Sequence, residues 1–193
     1  GPKPWLGVEI QSNQGPWRFE DRYPMSNTNE LLWELGSSDL ASAGGGNTIF
    51  PDASSGPVYE TPPLEEPLYF GGLPRLHVNV NTATVGGQIY ALLEDCDGAN
   101  CIHIGHAIMD LRYHAGGADE QTWTPVFEEI TALMEFFPMD VEVAAGHTIK
   151  LTLRSTGEDY LPSAASTAVT VVNAGSTLPV SYTHLTLPTS LIV

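Results

Sequence analysis

Short runs of alternating apolar and polar residues, cut by glycine, proline and aspartate, constrain this chain more than any other feature. A period of two puts every second side chain on one face of a strand. Leu76, Val78 and Val80 alternate with Arg75, His77, Asn79 and Asn81. Ile89, Ala91 and Leu93 repeat the pattern between Gln88 and Asp95, and Leu6, Val8 and Ile10 alternate with Gly7 and Glu9. Further strands are expected at 17–19, 30–35, 102–113, 129–137, 148–154 and 167–173. Gly15-Pro16, the stretch 84–87, Asp97-Gly98 and Ala145-Gly146 supply turns. Residues 36–56 are rich in Ser, Ala and Gly around Gly44-Gly45-Gly46 and are expected to form one long loop. No segment carries a three-turn helical pattern; 127–134 is the one ambiguous stretch. Many short strands and no repeat predict an all-β fold, a two-sheet jelly-roll β-sandwich. A chain of 193 residues suits one such domain with its own core.

Charge narrows the partners. Lys plus Arg is 7 against 23 Asp plus Glu, a formal charge of −16. Such a surface repels phosphate backbones and anionic lipid, so no nucleic-acid or membrane role is expected. No run approaches the ~20 apolar residues of a membrane span. The only lysines are Lys3 and Lys150, and an acidic, lysine-poor surface suits a salty habitat or an extracellular protein.

The two ends read differently from the middle. Gly1-Pro2 resembles the scar of a rhinovirus-type tag protease, and the chain is expected to start inside a longer gene. Val180-Ser181-Tyr182-Thr183-His184-Leu185-Thr186-Leu187-Pro188-Thr189 resembles the in-frame translation of a transposon-end sequencing adapter. The organisation expected is therefore 1–2 tag scar, 3–179 a single jelly-roll domain, and 180–193 a non-native tail without evolved function. A natural Thr/Leu-rich edge strand is the alternative for that tail.

Several side-chain groups are candidates for chemistry. No G-x-S-x-G elbow exists to present a nucleophile, and Ser37, Ser38, Ser54 and Ser55 lie in glycine-rich loop sequence. His103 and His106 differ by an odd number on a strand, so they are expected on opposite faces unless a bulge at Gly105 brings them together. His77 sits on the polar side of its strand beside Asn79. Glu94, Asp95 and Asp97 place three carboxylates near one turn, a weak calcium candidate set of hard oxygen donors. Cys96 and Cys101 bracket a hairpin turn, where facing positions come within disulfide reach, and a C-x4-C without a second pair is poor zinc spacing. A disulfide there points to an oxidising compartment, extracellular or periplasmic. Trp5, Trp17, Trp33 and Trp123 are either packing residues or a sugar-stacking platform.

Four segments, taken in order, resemble one family. They are Pro67-Leu68-Tyr69-Phe70-Gly71-Gly72-Leu73-Pro74-Arg75-Leu76-His77-Val78, then Gly87-Gln88-Ile89-Tyr90-Ala91-Leu92-Leu93-Glu94-Asp95, then Ile104-Gly105-His106-Ala107-Ile108-Met109-Asp110-Leu111-Arg112-Tyr113. Ala145-Gly146-His147-Thr148-Ile149-Lys150-Leu151-Thr152-Leu153, with the following Asp159-Tyr160-Leu161-Pro162, completes the set. The whole is similar to the C-terminal domain of the X-prolyl dipeptidyl aminopeptidase and cocaine esterase family of serine hydrolases, over residues 4–173. That resemblance implies a galactose-binding-domain-like jelly roll packed against an α/β-hydrolase domain and a helical cap. It implies a Ser, Asp and His triad in the hydrolase domain, with no position here matching it. No catalytic residue and no cofactor is therefore expected, and the Cys96–Cys101 hairpin departs from the family pattern. The function expected is a non-catalytic accessory domain that braces the hydrolase, walls its cleft and contributes to a homo-oligomer. The alternative is a carbohydrate- or polymer-binding module.

Overall fold

The computed structural model describes residues 7–13, 15, 17–25, 28–44, 48–49, 56–115, 122–157, 159–162 and 168–183. In chain order the strands are β1 (Val8–Gln11), β2 (Trp17–Glu20), β3 (Asn29–Glu34), β4 (Ala41–Gly44), β5 (Thr48–Ile49), β6 (Val58–Glu60) and β7 (Leu68–Gly72). They continue as β8 (Arg75–Thr82), β9 (Gln88–Asp97), β10 (Asn100–Asp110), β11 (Ile130–Glu135), β12 (Met139–Val143), β13 (Thr148–Arg154) and β14 (Val169–Thr183). The sole helical element among the described residues is a 3-10 turn at Leu111–Tyr113.

Strands are amphipathic and must bury one face, so they stack as two sheets. The smaller sheet has the order β10-β9-β13-β6-β4. The larger runs β11-β8-β14-β7-β12, with β3 and β5 also paired to β14. Alternation decides which side chains meet. Ile89, Ala91 and Leu93 of β9 and Ile149, Leu151 and Leu153 of β13 face Leu76, Val78 and Val80 of β8 and Val169, Val171, Leu178 and Val180 of β14 in one buried core. Each buried Val, Leu or Ile side chain contributes about 1.5–3 kcal/mol by leaving water. The fold is a β-sandwich of the jelly-roll type, as the alternation predicts.

Several boundaries differ from the sequence reading. The glycine-rich stretch 36–56 is not all loop: β4 pairs with β6 and β5 with β14, so edge pairing orders what local propensity leaves open. The ambiguous segment becomes strand from Ile130. β12 is an additional strand; Met139, Val141 and Val143 point inward and Asp140 and Glu142 lie between them. The strand from 102 ends at Asp110, whose carboxylate caps the following turn by accepting the Arg112 N–H at 2.9 Å.

The last strand does not stop at Asn173. Its register shifts between Val172 and Thr177, with Gly175 at φ 76°, and pairing then resumes. The Ser176 hydroxyl stitches this bulge, accepting the Asn79 N–H at 2.9 Å and donating to the Val172 carbonyl at 2.6 Å. Beyond it, Thr177–Tyr182 pairs antiparallel with β3, and Tyr182 and Thr183 pair with Phe70 and Tyr69 of β7. The strand therefore crosses position 180 without interruption, and Val180 is in the core. Residues 184–193 and Gly1-Pro2 lie outside the described residues.

A separate hairpin, β1–β2, closes the β12 edge of the larger sheet. Asn13 imitates a strand neighbour there, accepting the Glu142 N–H at 2.8 Å and donating to the Glu142 carbonyl at 3.2 Å. An edge so covered presents fewer free backbone groups for aggregation.

Candidate functional site

The outward face of the smaller sheet holds His103 and His106 together. Gly105 forms a bulge in β10, because the register with β9 shifts between His103 and Gly105. Glycine leaves room there for Met139: a Cβ at 105 would lie 2.3 Å from Met139 Cε, so the methionine would have to shift. The bulge puts His103 and His106 on the same face, with His106 Nδ1 3.1 Å from His103 Nε2. This corrects the expectation of opposite faces by the exception that Gly105 allows. His106 Nε2 lies 3.0 Å from the Tyr160 hydroxyl, and its ring stacks on Tyr90 and meets Phe137 edge-on. Burial, and then the neighbouring His103, push the His106 pKa below its ordinary value, against a smaller opposing pull from Asp159. Tyr90, Leu92, His103, Arg154, Gly157 and Asp159 line a recess of about 190 Å³ beside this pair.

The remaining candidates do not converge. Adjacent strand residues point to opposite sides. Glu94 accordingly pairs with Lys150 at 2.9 Å, while Asp95, buried, takes His147 Nδ1 at 2.7 Å. Asp97 is exposed at the turn. Glu94 and Asp95 thus serve separate partners, and among the described residues no three His, Cys, Asp or Glu side chains gather as a metal site. Cys96 and Cys101 are register partners with Cα atoms 4.1 Å apart, and their sulfurs are bonded at 2.09 Å. The turn between them is tighter than the four residues expected from sequence, because pairing continues to Asp97 and Asn100.

No hydrolytic constellation forms around the described candidates. Ser37 donates to the Glu34 carbonyl at 2.8 Å and accepts the Asp39 N–H at 3.2 Å, the bonding of a turn. His147 is bound to Asp95, and His114 to the Leu111 carbonyl at 2.7 Å. Ser54, Ser55 and Trp5 lie outside the described residues.

One half-buried network was not legible in sequence. Arg18 of β2 donates to both oxygens of Asp140 at 2.8 and 2.7 Å and to Glu20 at 2.8 Å. Burial opposes the Arg18 charge, but the hydrogen bonds to Asp140 and Glu20 outweigh it and hold its pKa above the usual range. The Tyr69 hydroxyl also donates to Asp140; burial and that bond raise its pKa. Arg18 additionally sits 4.7 Å over the Tyr69 ring. These contacts latch the β1–β2 hairpin onto β7 and β12. The signal available was an arginine alternating with Trp17 and Phe19, which left it on the inner side of the hairpin.

The tryptophans divide. Trp33 is core, whereas Trp17 and Trp123 are exposed. Trp17 and Phe19 share the outward side of the hairpin, and Trp123, Val126 and Phe127 stand out from the loop before β11.

Comparison with known proteins gives one family match and several similar folds. The family model of the X-Pro dipeptidyl-peptidase C-terminal non-catalytic domain matches residues 3–190. No curated protein matches the chain in sequence. A CocE/NonD family hydrolase from Staphylococcus aureus is similar in structure, with a TM-score of 0.73 and 9% identity over 92% of this chain and 41% of that one. An aminopeptidase from a marine sediment archaeon, Thaumarchaeota archaeon, gives a TM-score of 0.71 and 12% identity over 89% of this chain and 39% of that one. An α-amino acid ester hydrolase gives 0.58 and 12% over 92% of this chain and 36% of that one. The chain thus spans about two fifths of the length of these solved relatives. At such identities the structural likeness carries the fold, and the family match carries the assignment. This chain belongs to the family of X-Pro dipeptidyl-peptidase C-terminal non-catalytic domains.

Proposed function

We propose that this domain braces the α/β-hydrolase domain of a longer serine hydrolase, of the X-Pro dipeptidyl peptidase, esterase or amidase type, and forms one wall of its cleft. The observation that carries the reading is the match over 3–190 to a non-catalytic C-terminal domain. The surface supports it: large apolar side chains stand exposed on elements tied firmly to the sandwich, in a chain whose formal charge is −16. Exposed apolar surface on a rigid frame is what a bracing domain offers its neighbour. The Cys96–Cys101 pairing and the scarcity of lysine support an extracellular or periplasmic setting, where such a bond persists.

The test is to delete this domain from the parent polypeptide. The remaining hydrolase is expected to melt at lower temperature and to hydrolyse X-Pro-nitroanilide or nitrophenyl esters with a higher KM. Unchanged melting and unchanged kinetics would refute the bracing role.

A further inference from the structure

We infer that the loop 122–127, with Val85 beside it, is the docking element through which this domain holds the α/β-hydrolase domain that precedes it; this rests on the bracing role proposed above. The loop is built inside out. Thr124 is its buried residue, and its Oγ1 accepts the Gly86 N–H at 2.6 Å. Trp123 is 69% exposed, Val126 40%, Phe127 77% and the adjoining Val85 45%. A loop that only joined two elements would bury its aromatics and expose its threonine. This one does the reverse and is held in that state. Thr122 N–H donates to the Arg112 carbonyl at 2.7 Å, Phe127 N–H donates to the Thr82 carbonyl at 2.9 Å, and Val126 bridges Thr82.

The backbone adds a second sign. Phe127 has φ 63°, a left-handed conformation that a bulky residue seldom adopts. Such strain persists where the surroundings over-determine it, and it collects at functional surfaces. Here it turns a phenyl ring into solvent. Rigid aromatics on a fixed backbone are the residues that anchor interfaces, because little conformational entropy is lost when they dock.

Charge and chain length select the occupant. The segment 122–127 carries no charge, whereas Glu128 and Glu129 beside it are exposed. An apolar centre with an acidic rim fits an apolar patch with a basic rim. A second copy of this chain is a poor fit, since each carries a formal charge of −16. The solved relatives run well beyond this domain, which accounts for 39–41% of two of them, and the family domain is C-terminal. The covalently attached neighbour is therefore the upstream domain, present at high effective concentration.

The experiment is hydroxyl-radical footprinting of the full parent polypeptide and of this 193-residue chain, side by side. Oxidation of Trp123 and Phe127 is expected to be slower by about fivefold or more in the parent, as for residues at the desolvated centre of an interface. Trp17 and Phe19 on the hairpin should oxidise equally in both. Equal oxidation of Trp123 and Phe127 in the two proteins overturns the inference, as does protection of the hairpin instead. Concentration-dependent protection in the short chain alone also overturns it, by making a second copy the occupant. Failure of the underlying reading looks different: a parent sequence without a nucleophile elbow in an α/β-hydrolase domain removes the proposed partner itself.

Discussion

Replacing Val180 by alanine tests where this domain ends. The sequence reading assigns residues 180–193 to a tail without evolved function, yet Val180 is 2% exposed and pairs with Leu31 across β14 and β3. Its side chain lies in the core with Leu178 and Trp33. The substitution removes two methyl groups' worth of apolar surface, about 1.6 kcal/mol at ~0.8 kcal/mol per group. The cavity left behind adds about 1 kcal/mol at ~24 cal/mol per Å³. The expected loss is roughly 2–3 kcal/mol, a fall in Tm of roughly 4–12 °C for a domain this size. Urea unfolding followed by tryptophan fluorescence reads it directly. Ser181→Ala, one residue on and facing the other way, should change stability by under about 0.5 kcal/mol. If Val180→Ala is as stable as the parent protein, residues from 180 onward are an appendage and the packing described here is wrong.

Other expectations are as concrete. Asp140→Ala leaves the Arg18 guanidinium without its two-pronged partner and should cost about 2–3 kcal/mol, with faster proteolysis of the β1–β2 hairpin; unaltered urea midpoint and cleavage rate would contradict the latch. His106 has a folded pKa below its ordinary 6.5, so the unfolded chain takes up the proton first. Its contribution is therefore intact above the unfolded pKa and is lost as pH falls through 6.5 to the folded value. Melting temperature measured from pH 8 to pH 5 should fall more steeply for the parent than for His106→Gln, and parallel curves would refute the assignment. Thiol titration of the native, unreduced protein should find no free thiol, and reduction should cost roughly 2 kcal/mol, the value for so short a loop; two titrating thiols would contradict the bond.

The central strands were legible because both the pattern and its burial are local. Ile149, Leu151 and Leu153 alternate with Thr148, Lys150 and Thr152, and the strand is Thr148–Arg154 as expected. The facing positions of Cys96 and Cys101 across β9 and β10 followed from the hairpin for the same reason. What escaped was decided by distant contacts. The bulge that unites His103 and His106 falls at Gly105, against which Met139 of another strand packs. The strand expected at 167–173 continues past Asn173, because the Ser176 hydroxyl accepts from β8 and donates within β14, making a bulge in a longer strand. Arg18 sits in the short strand expected at 17–19, and only the fold brings Asp140 to it across 122 residues. The exposed loop at Trp123 likewise looked like packing or a sugar platform, since sequence does not tell which way a loop turns.

The bracing claim is tested most directly by adding this chain back in trans to the parent hydrolase from which the domain has been deleted, and recording the melting temperature of the mixture. The account predicts that saturating amounts restore the melting temperature of the intact parent, while the chain alone turns over no ester or X-Pro substrate. A truncated hydrolase whose melting is unmoved by the added domain would contradict it.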